Sequence, residues 1–236
     1  MRRELHLIHG ALDAHFAADP DTWWPARSRF EVIAGAILVQ NTAWTNVTRA
    51  LASLRAAGRL SLSGIRGLDE AELGLLIRSA GCWRQKARRL RGFVLWLDAC
   101  HQGSLRRMFA QPTSRLRTQL LALDGIGEET ADAILLFAGN HPSFVLDAYT
   151  RRILQRHHLP ADRAALEAAL PPQPRLYRHL HALFVEAAKR YCRKLQPDCA
   201  RCPLRPFLPS APATVTSAGL GAAAPRVPLT PAPATA

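Results

Sequence analysis

The stretch from Leu123 to Asp147, LDGIGEETADAILLFAGNHPSFVLD, constrains the chain more than any other. Gly125 and Gly127 bracket one apolar residue, Ile126, between two helical runs, Thr113 to Ala122 and Glu129 to Ala138. Such a turn needs positive φ, which glycine reaches without a Cβ clash, and a bare backbone lets another molecule come close. The unit is therefore a helix-hairpin-helix. Its second helix, with Thr130 in the first turn, presents free N–H groups and the positive end of its dipole, where a phosphate docks. A lone carboxylate, Asp147, follows 18 residues after Glu129.

Helical spacing runs through the rest of the chain. Leu5, Ile8, Leu12 and Phe16 share one side of a helix from Glu4 to Phe16, and Phe30, Ile33, Ala34, Ile37 and Leu38 make Arg29 to Val39 a buried helix. Further helices are expected over Thr45–Ala56, Glu70–Ser79, Gln85–Ala99, Asp147–His158, Asp162–Leu170 and Arg175–Cys192, with a loop around Gly58, Ser61, Ser63 and Gly64. No stretch alternates with a period of two, so the fold class is all-α. Pro209 to Ala236 holds six prolines among 28 residues, with Ala, Thr and Ser filling most of the rest, which predicts a disordered tail.

Charge points to the partner. With 31 Lys and Arg against 18 Asp and Glu in 236 residues, the formal net charge is +13, which favours a polyanion over an acidic small substrate. Arg78, Arg84, Lys86, Arg88, Arg89, Arg91, Arg106 and Arg107 cluster in one run with Asp98 as its only acid. No apolar run approaches the roughly 18 to 20 residues of a membrane span. The basic N-terminus has charged and His residues where a signal peptide keeps its apolar core. A cytoplasmic protein with no membrane partner is expected, nucleoid-associated if bacterial. Its five cysteines are an odd number, so disulfides are not the default.

LDGIGEETADAILL followed by VLDAYTRRIL resembles the hairpin and catalytic aspartate of the endonuclease III superfamily of DNA glycosylases, from about Trp23 to Cys202. That resemblance implies two helical lobes with a DNA-binding cleft between them: a six-helix lobe over 29–139 carrying the hairpin, and a second lobe of 1–28 with 140–208, followed by the tail over 209–236. It implies a monomer acting on damaged double-stranded DNA, with Gly125, Ile126, Gly127 and Thr130 on the backbone and Asp147 as catalytic carboxylate. Cleaving an N-glycosidic bond builds positive charge on the sugar, and a fixed carboxylate stabilises that transition state more than the ground state. Asp147 also precedes a helix as an N-cap would, which would hold its rotamer without removing its charge.

Members that also cut the strand carry a Lys where this chain has Glu129, and a carboxylate cannot form the Schiff base. A monofunctional, water-using glycosylase follows. WWP, QNTAW and GIGEETA together look like the 3-methyladenine DNA glycosylase III branch, which implies a base pocket from Trp23, Trp24, Pro25 and Trp44, joined by Glu129. A cationic alkylated purine between aromatic faces gains roughly 0.5 to 2 kcal/mol over a neutral base. In the superfamily a Gln at the position of Gln40 fills the gap left by the extruded base, and a second wedge falls at Cys82.

Cys192, Cys199 and Cys202 match three ligands of the superfamily's [4Fe–4S] loop, but the fourth position holds Leu208. Base removal on this reading needs no cofactor, and a bound cluster is disfavoured. Two rivals stand beside it: an endonuclease III-type glycosylase and AP lyase for oxidised pyrimidines, and a helix-hairpin-helix DNA-binding protein without catalysis.

Overall fold

The structure, a computed structural model, describes residues 1–17, 19, 21, 23–209 and 227–228. The tail expected over 209–236 lies outside them except at 209, 227 and 228. Among the described residues the elements run α1 (Arg2–His15), α2 (Arg29–Leu38), α3 (Trp44–Ala56), α4 (Leu62–Arg66), α5 (Glu70–Leu76), α6 (Trp83–His101), α7 (Leu105–Phe109), α8 (Thr113–Leu121), α9 (Glu128–Ala133), α10 (Ala148–Arg156), α11 (Arg163–Ala169) and α12 (Pro174–Arg190). The one strand pairing among them joins Phe16–Ala17 to Val227–Pro228, two residues on each side, so the fold is all-α.

The described residues divide into two compact units, one of Met1–Trp23 with the chain from Phe144 through residues 209, 227 and 228, the other holding Trp24–Ser143. The boundaries expected at 28/29 and 139/140 thus fall four or five residues away, and the consecutive Trp23 and Trp24 belong to different units.

In the Trp24–Ser143 unit, α2 is the buried centre, with every residue from Phe30 to Leu38 out of solvent. Ile33, Ile37 and Leu38 are fully buried, each worth about 1.5 to 3 kcal/mol. Ser28 starts this helix by accepting from the Glu31 N–H at 3.1 Å, and the buried Glu31 carboxylate is held by Arg55 and the Arg27 N–H. Eight α-helices, not six, make up this unit, because two five-residue helices are too short to show a period. One of them, α4, occupies the expected loop, capped by Ser61 Oγ accepting from the Gly64 N–H at 2.9 Å. Asp69 and Glu72 close a reciprocal capping box on α5.

On α6, Leu90, Phe93, Val94 and Leu97 face inward as their spacing predicts. Lys86 does not share the surface of its basic neighbours. It is 2% exposed, and its ammonium donates to Leu38 O at 2.8 Å and Ala80 O at 2.7 Å, while burial lowers its pKa. One cation therefore caps the last turns before two loops. The buried Asp132 ties α8 to α9 through Arg117 at 2.7 and 3.1 Å and accepts from Ser143 Oγ at 2.6 Å.

In the other unit, Leu5, Ile8 and Leu12 of α1 are buried, and α12 buries Leu180 and Ala182–Val185 along its length. Phe144 and Tyr177 meet edge to face at 5.3 Å, and Glu167 accepts from the Phe144 N–H at 2.8 Å. These contacts hold the residues that lead to Asp147.

Candidate functional site

The glycine turn has the predicted conformation at one of its two glycines. Gly125 has φ +73°, and a Cβ there would overlap the Arg89 side chain, so backbone and packing both demand glycine. Gly127 is extended, at φ −85° and ψ −179°, and a Cβ there would meet nothing within 4 Å. Ile126 between them is buried, and its N–H donates to Leu123 O at 3.1 Å. Gly127 starts α9 without a side-chain cap, and the exposed Glu128 and Glu129 complement the positive helix end.

Gln40, two residues past α2, lies against this turn. Its Nε2 donates to Gly125 O and to Thr130 Oγ1, both at 2.9 Å, and its Oε1 accepts from Arg89 Nη1 at 2.6 Å. The amide expected to fill the gap of an extruded base is thus bonded three ways inside its own unit. Cys82 is exposed, in the left-handed region at φ 44°, immediately before α6.

The expected aromatic pocket separates. Trp24 and Trp44 meet at 5.2 Å and 80°, and Phe137 stands 4.9 Å from Trp24. All three rings and Pro25 are half-buried. Beneath the indoles lies Gly35 of α2, where a Cβ would stand 3.4 Å from each. The buried Trp44 Nε1 has no hydrogen-bond partner among the described residues. Trp23, in contrast, is 8% exposed and packs in the other unit, edge-on to His181 at 5.4 Å. An aromatic pair in sequence cannot say which ring faces which core.

Phe137 is the residue that the sequence reading passed over. It sits in a π-helical turn, Ile134–Ala138, which extends α9 and is closed by the Gly139 N–H donating to Ile134 O at 3.1 Å. The wide turn shifts the helical phase, so a residue within an apolar run points at Trp24 and not wholly into the core.

Asp147 is the N-cap of α10, its Oδ1 accepting from the Thr150 N–H at 2.7 Å, and it is 7% exposed. The bond fixes one oxygen and leaves Oδ2 outside it. The Thr150 hydroxyl is buried without a hydrogen-bond partner among the described residues. His181, which looked unremarkable in the sequence, is close enough for its titration to feel this carboxylate: burial lowers its pKa, and Asp147 pulls the other way.

The cysteine loop does not fit a four-thiolate cluster. Only Cys192, Cys199 and Cys202 are there to ligate, Leu208 offers no donor, and Arg156 Nη1 donates to Cys192 Sγ at 3.1 Å. The same guanidinium binds Arg193 O at 2.8 Å and Lys194 O at 3.3 Å, and Arg152 Nε binds Cys192 O at 2.7 Å. Burial pushes the Cys202 thiol up to about 11. Two arginines of α10 thus bind the cysteine loop.

A glycine hairpin in an all-α fold, followed by a capped aspartate, defines the class: helix-hairpin-helix proteins that act on DNA. The chain belongs to the HhH-GPD superfamily of base excision DNA repair proteins, whose family profile matches residues 34–170. It is 40% identical over 194 residues to the provisionally named DNA repair glycosylase MJ1434 of Methanocaldococcus jannaschii, covering 78% of this chain and 87% of that one. Among solved structures it is similar to the H. pylori 3-methyladenine DNA glycosylase (MagIII) bound to 1,N6-ethenoadenine. That likeness has a TM-score of 0.65 and 26% identity, over 77% of this chain and 95% of that one. A non-covalent endonuclease III–DNA complex shares the fold at a TM-score of 0.73 and 20% identity, covering 89% and 95%. Among the described residues no helix is long and apolar enough to cross a membrane.

Proposed function

We propose that the chain is a monofunctional DNA glycosylase that removes alkylated purines, 3-methyladenine and related cationic lesions, from duplex DNA by hydrolysis. The observation that carries the reading is the group of three half-buried rings, Trp24, Trp44 and Phe137, over a glycine floor. Such a surface suits a flat, cationic base, whose attraction to ring faces is worth roughly 0.5 to 2 kcal/mol. The H. pylori relative, a 3-methyladenine DNA glycosylase bound to 1,N6-ethenoadenine, supports the same class of base.

Positive charge on an alkylated purine already weakens its glycosidic bond, so the base leaves with little help from an acid. The sugar becomes electron-poor as the bond stretches, and the Asp147 carboxylate stabilises that charge or orients the attacking water. Because the Thr150 N–H fixes one carboxylate oxygen, the group is held before the reaction begins. Glu129 provides no amine, so the base leaves, water adds to the sugar, and the strand keeps an abasic site and not an imine. The chemistry needs no cofactor.

Gly127 supports DNA binding by the hairpin. Nothing inside the protein requires a glycine there, and a bare edge at a helix start admits a phosphate backbone. The net charge of +13 favours the same partner.

The test is incubation with duplexes carrying 3-methyladenine, 1,N6-ethenoadenine or thymine glycol, with mass spectrometry of the released bases. Release of the alkylated purines, abolished in Asp147→Asn while duplex binding persists, supports the reading. Asparagine keeps the helix cap, so loss of activity reports the charge. Release of thymine glycol alone would favour the endonuclease III-type rival, and no release from any duplex a binding protein without catalysis.

A further inference from the structure

We propose that Lys86 clamps together the two loops that carry Gln40 and Cys82, making it a positioning residue that holds both gap-filling side chains at one fixed spacing. The inference rests on the glycosylase reading, in which these two residues occupy the space left by an extruded base.

One ammonium reaches both loops: Lys86 Nζ donates to Leu38 O at 2.8 Å and to Ala80 O at 2.7 Å. The two oxygens therefore lie within about 5.5 Å of each other, though they belong to distant parts of the sequence. Gln40 stands two residues past Leu38, and Cys82 two residues past Ala80. The clamp thus grips each loop at the same short distance ahead of a residue that enters the duplex. It grips carbonyls and not side chains, so it fixes where Gln40 and Cys82 start from without tying either side chain.

Both loops need such an anchor. Beyond Leu38 the chain passes through Asn41 at φ 54°, and beyond Ala80 through Gly81 at φ 69° and Cys82 at φ 44°. Left-handed backbone is unfavourable for residues with a Cβ, as at Asn41 and Cys82, and it persists where the surroundings fix it. The Lys86 N–H adds a third hold by donating to Cys82 O at 3.1 Å. Leu38 and Ala80 are fully buried and Lys86 is 2% exposed, so water replaces the ammonium poorly. Burying an ammonium removes its hydration, and here the two carbonyls stand in for that water. An apolar side chain of similar length would fill the space and leave both carbonyls without this donor.

The experiment compares Lys86→Met and Lys86→Gln with the parent full chain, each also combined with the Gln40→Ala/Cys82→Ala pair. Three readouts apply. Hydrogen exchange follows the backbone amides of residues 39–43 and 81–85 without DNA, and titration gives the affinity for an undamaged duplex. Extrusion is read as the fluorescence rise of a 2-aminopurine beside 1,N6-ethenoadenine in a duplex, in an Asp147→Asn background where the base stays attached. For Lys86→Met, a clamp predicts faster exchange in both loops at once. Its extrusion equilibrium falls about tenfold or more, as for lost bonds to a charged donor, while undamaged-duplex affinity stays within about twofold of the parent. The Gln40→Ala/Cys82→Ala chain has already lost both gap-filling side chains, so Lys86→Met adds nothing to its extrusion defect. Lys86→Gln keeps two N–H donors on a shorter stem and falls between Lys86→Met and the parent in both exchange and extrusion.

Faster exchange in one loop alone, or parent-level extrusion in Lys86→Met, would overturn the proposal. So would an equal further loss of extrusion in the Gln40→Ala/Cys82→Ala background, which would make Lys86 a contributor to stability and not to positioning. Melting of each variant monitors the fold; if Lys86→Met does not fold, Lys86→Gln decides, and parent values for its loop exchange and extrusion would overturn the clamp. The exchange arm needs neither DNA nor activity, so its failure is distinguishable from failure of the glycosylase reading, which the released-base assay decides.

Discussion

The Trp24 and Phe137 rings lie 4.9 Å apart with an interplanar angle of 39°, and Trp44 meets Trp24 edge to face. Phe137 reaches this position through the π-helical turn that ends the hairpin's second helix, so one run of sequence shapes both the turn and a wall of the aromatic cluster. Phe137→Ala is expected to slow release of 3-methyladenine by about two- to twelvefold under single-turnover conditions. The figure follows from an aromatic contact of roughly 0.5 to 1.5 kcal/mol. Phe137→Tyr should stay near the parent rate. A Phe137→Ala enzyme as fast as the parent, with unchanged melting, would remove this ring from the pocket.

Glu129 stands on the first turn of α9, exposed, where strand-cutting relatives have an amine. The parent protein should therefore give no borohydride-trapped adduct on an abasic duplex. Glu129→Lys supplies a nucleophilic amine beside the turn, and a trapped complex visible as a gel shift is the expected gain. Trapping by the parent protein would contradict the monofunctional assignment.

Long amphipathic helices and the glycine turn were legible because they repeat or break a period. Ile33, Ile37 and Leu38 fall on the buried side of α2 as spacing predicts, and Gly125 has the positive φ that its place in the turn requires. Five-residue α4 and α7 were not legible, since one turn and a half shows no period. Lys86 counted as surface charge because its acceptors, Leu38 O and Ala80 O, are backbone atoms that no side-chain pattern announces. Phe137 was hidden for a related reason: a π turn shifts phase without any marker residue. The three bonds to Gln40 join positions far apart in sequence, and only folding brings them together.

Arg156 donates hydrogen bonds to Cys192 Sγ, Arg193 O and Lys194 O across the cysteine loop. Arg156→Ala is expected to lower unfolding stability by about 1.5 to 3 kcal/mol, the range for bonds made by a charged donor, read from urea unfolding at neutral pH. A strong iron chelator should leave the parent curve in place. A chelator that shifts the midpoint, or a parent protein with an absorbance shoulder near 400 nm, would show that iron and not arginine secures the loop.

His9, His15, His101, His157, His179 and His181 all titrate below the ordinary 6.5, chiefly because burial disfavours the charged ring. Above pH 6.5 these rings are neutral in both folded and unfolded chains, and their contribution to stability is intact. As pH falls through 6.5, the unfolded chain takes up protons that the folded chain resists, and stability declines until the folded pKa values are passed. The melting temperature should therefore be level between about pH 7 and 8 and fall between about 6.5 and 5. His9 Nε2 and His179 Nδ1 lie 3.2 Å apart, a contact that needs one nitrogen unprotonated as acceptor, so protonating both rings is opposed twice. His9→Gln removes one member and should flatten the acid limb. A parent melting temperature that rises on going from pH 7 to pH 5.5 would show that these rings are charged in the folded chain.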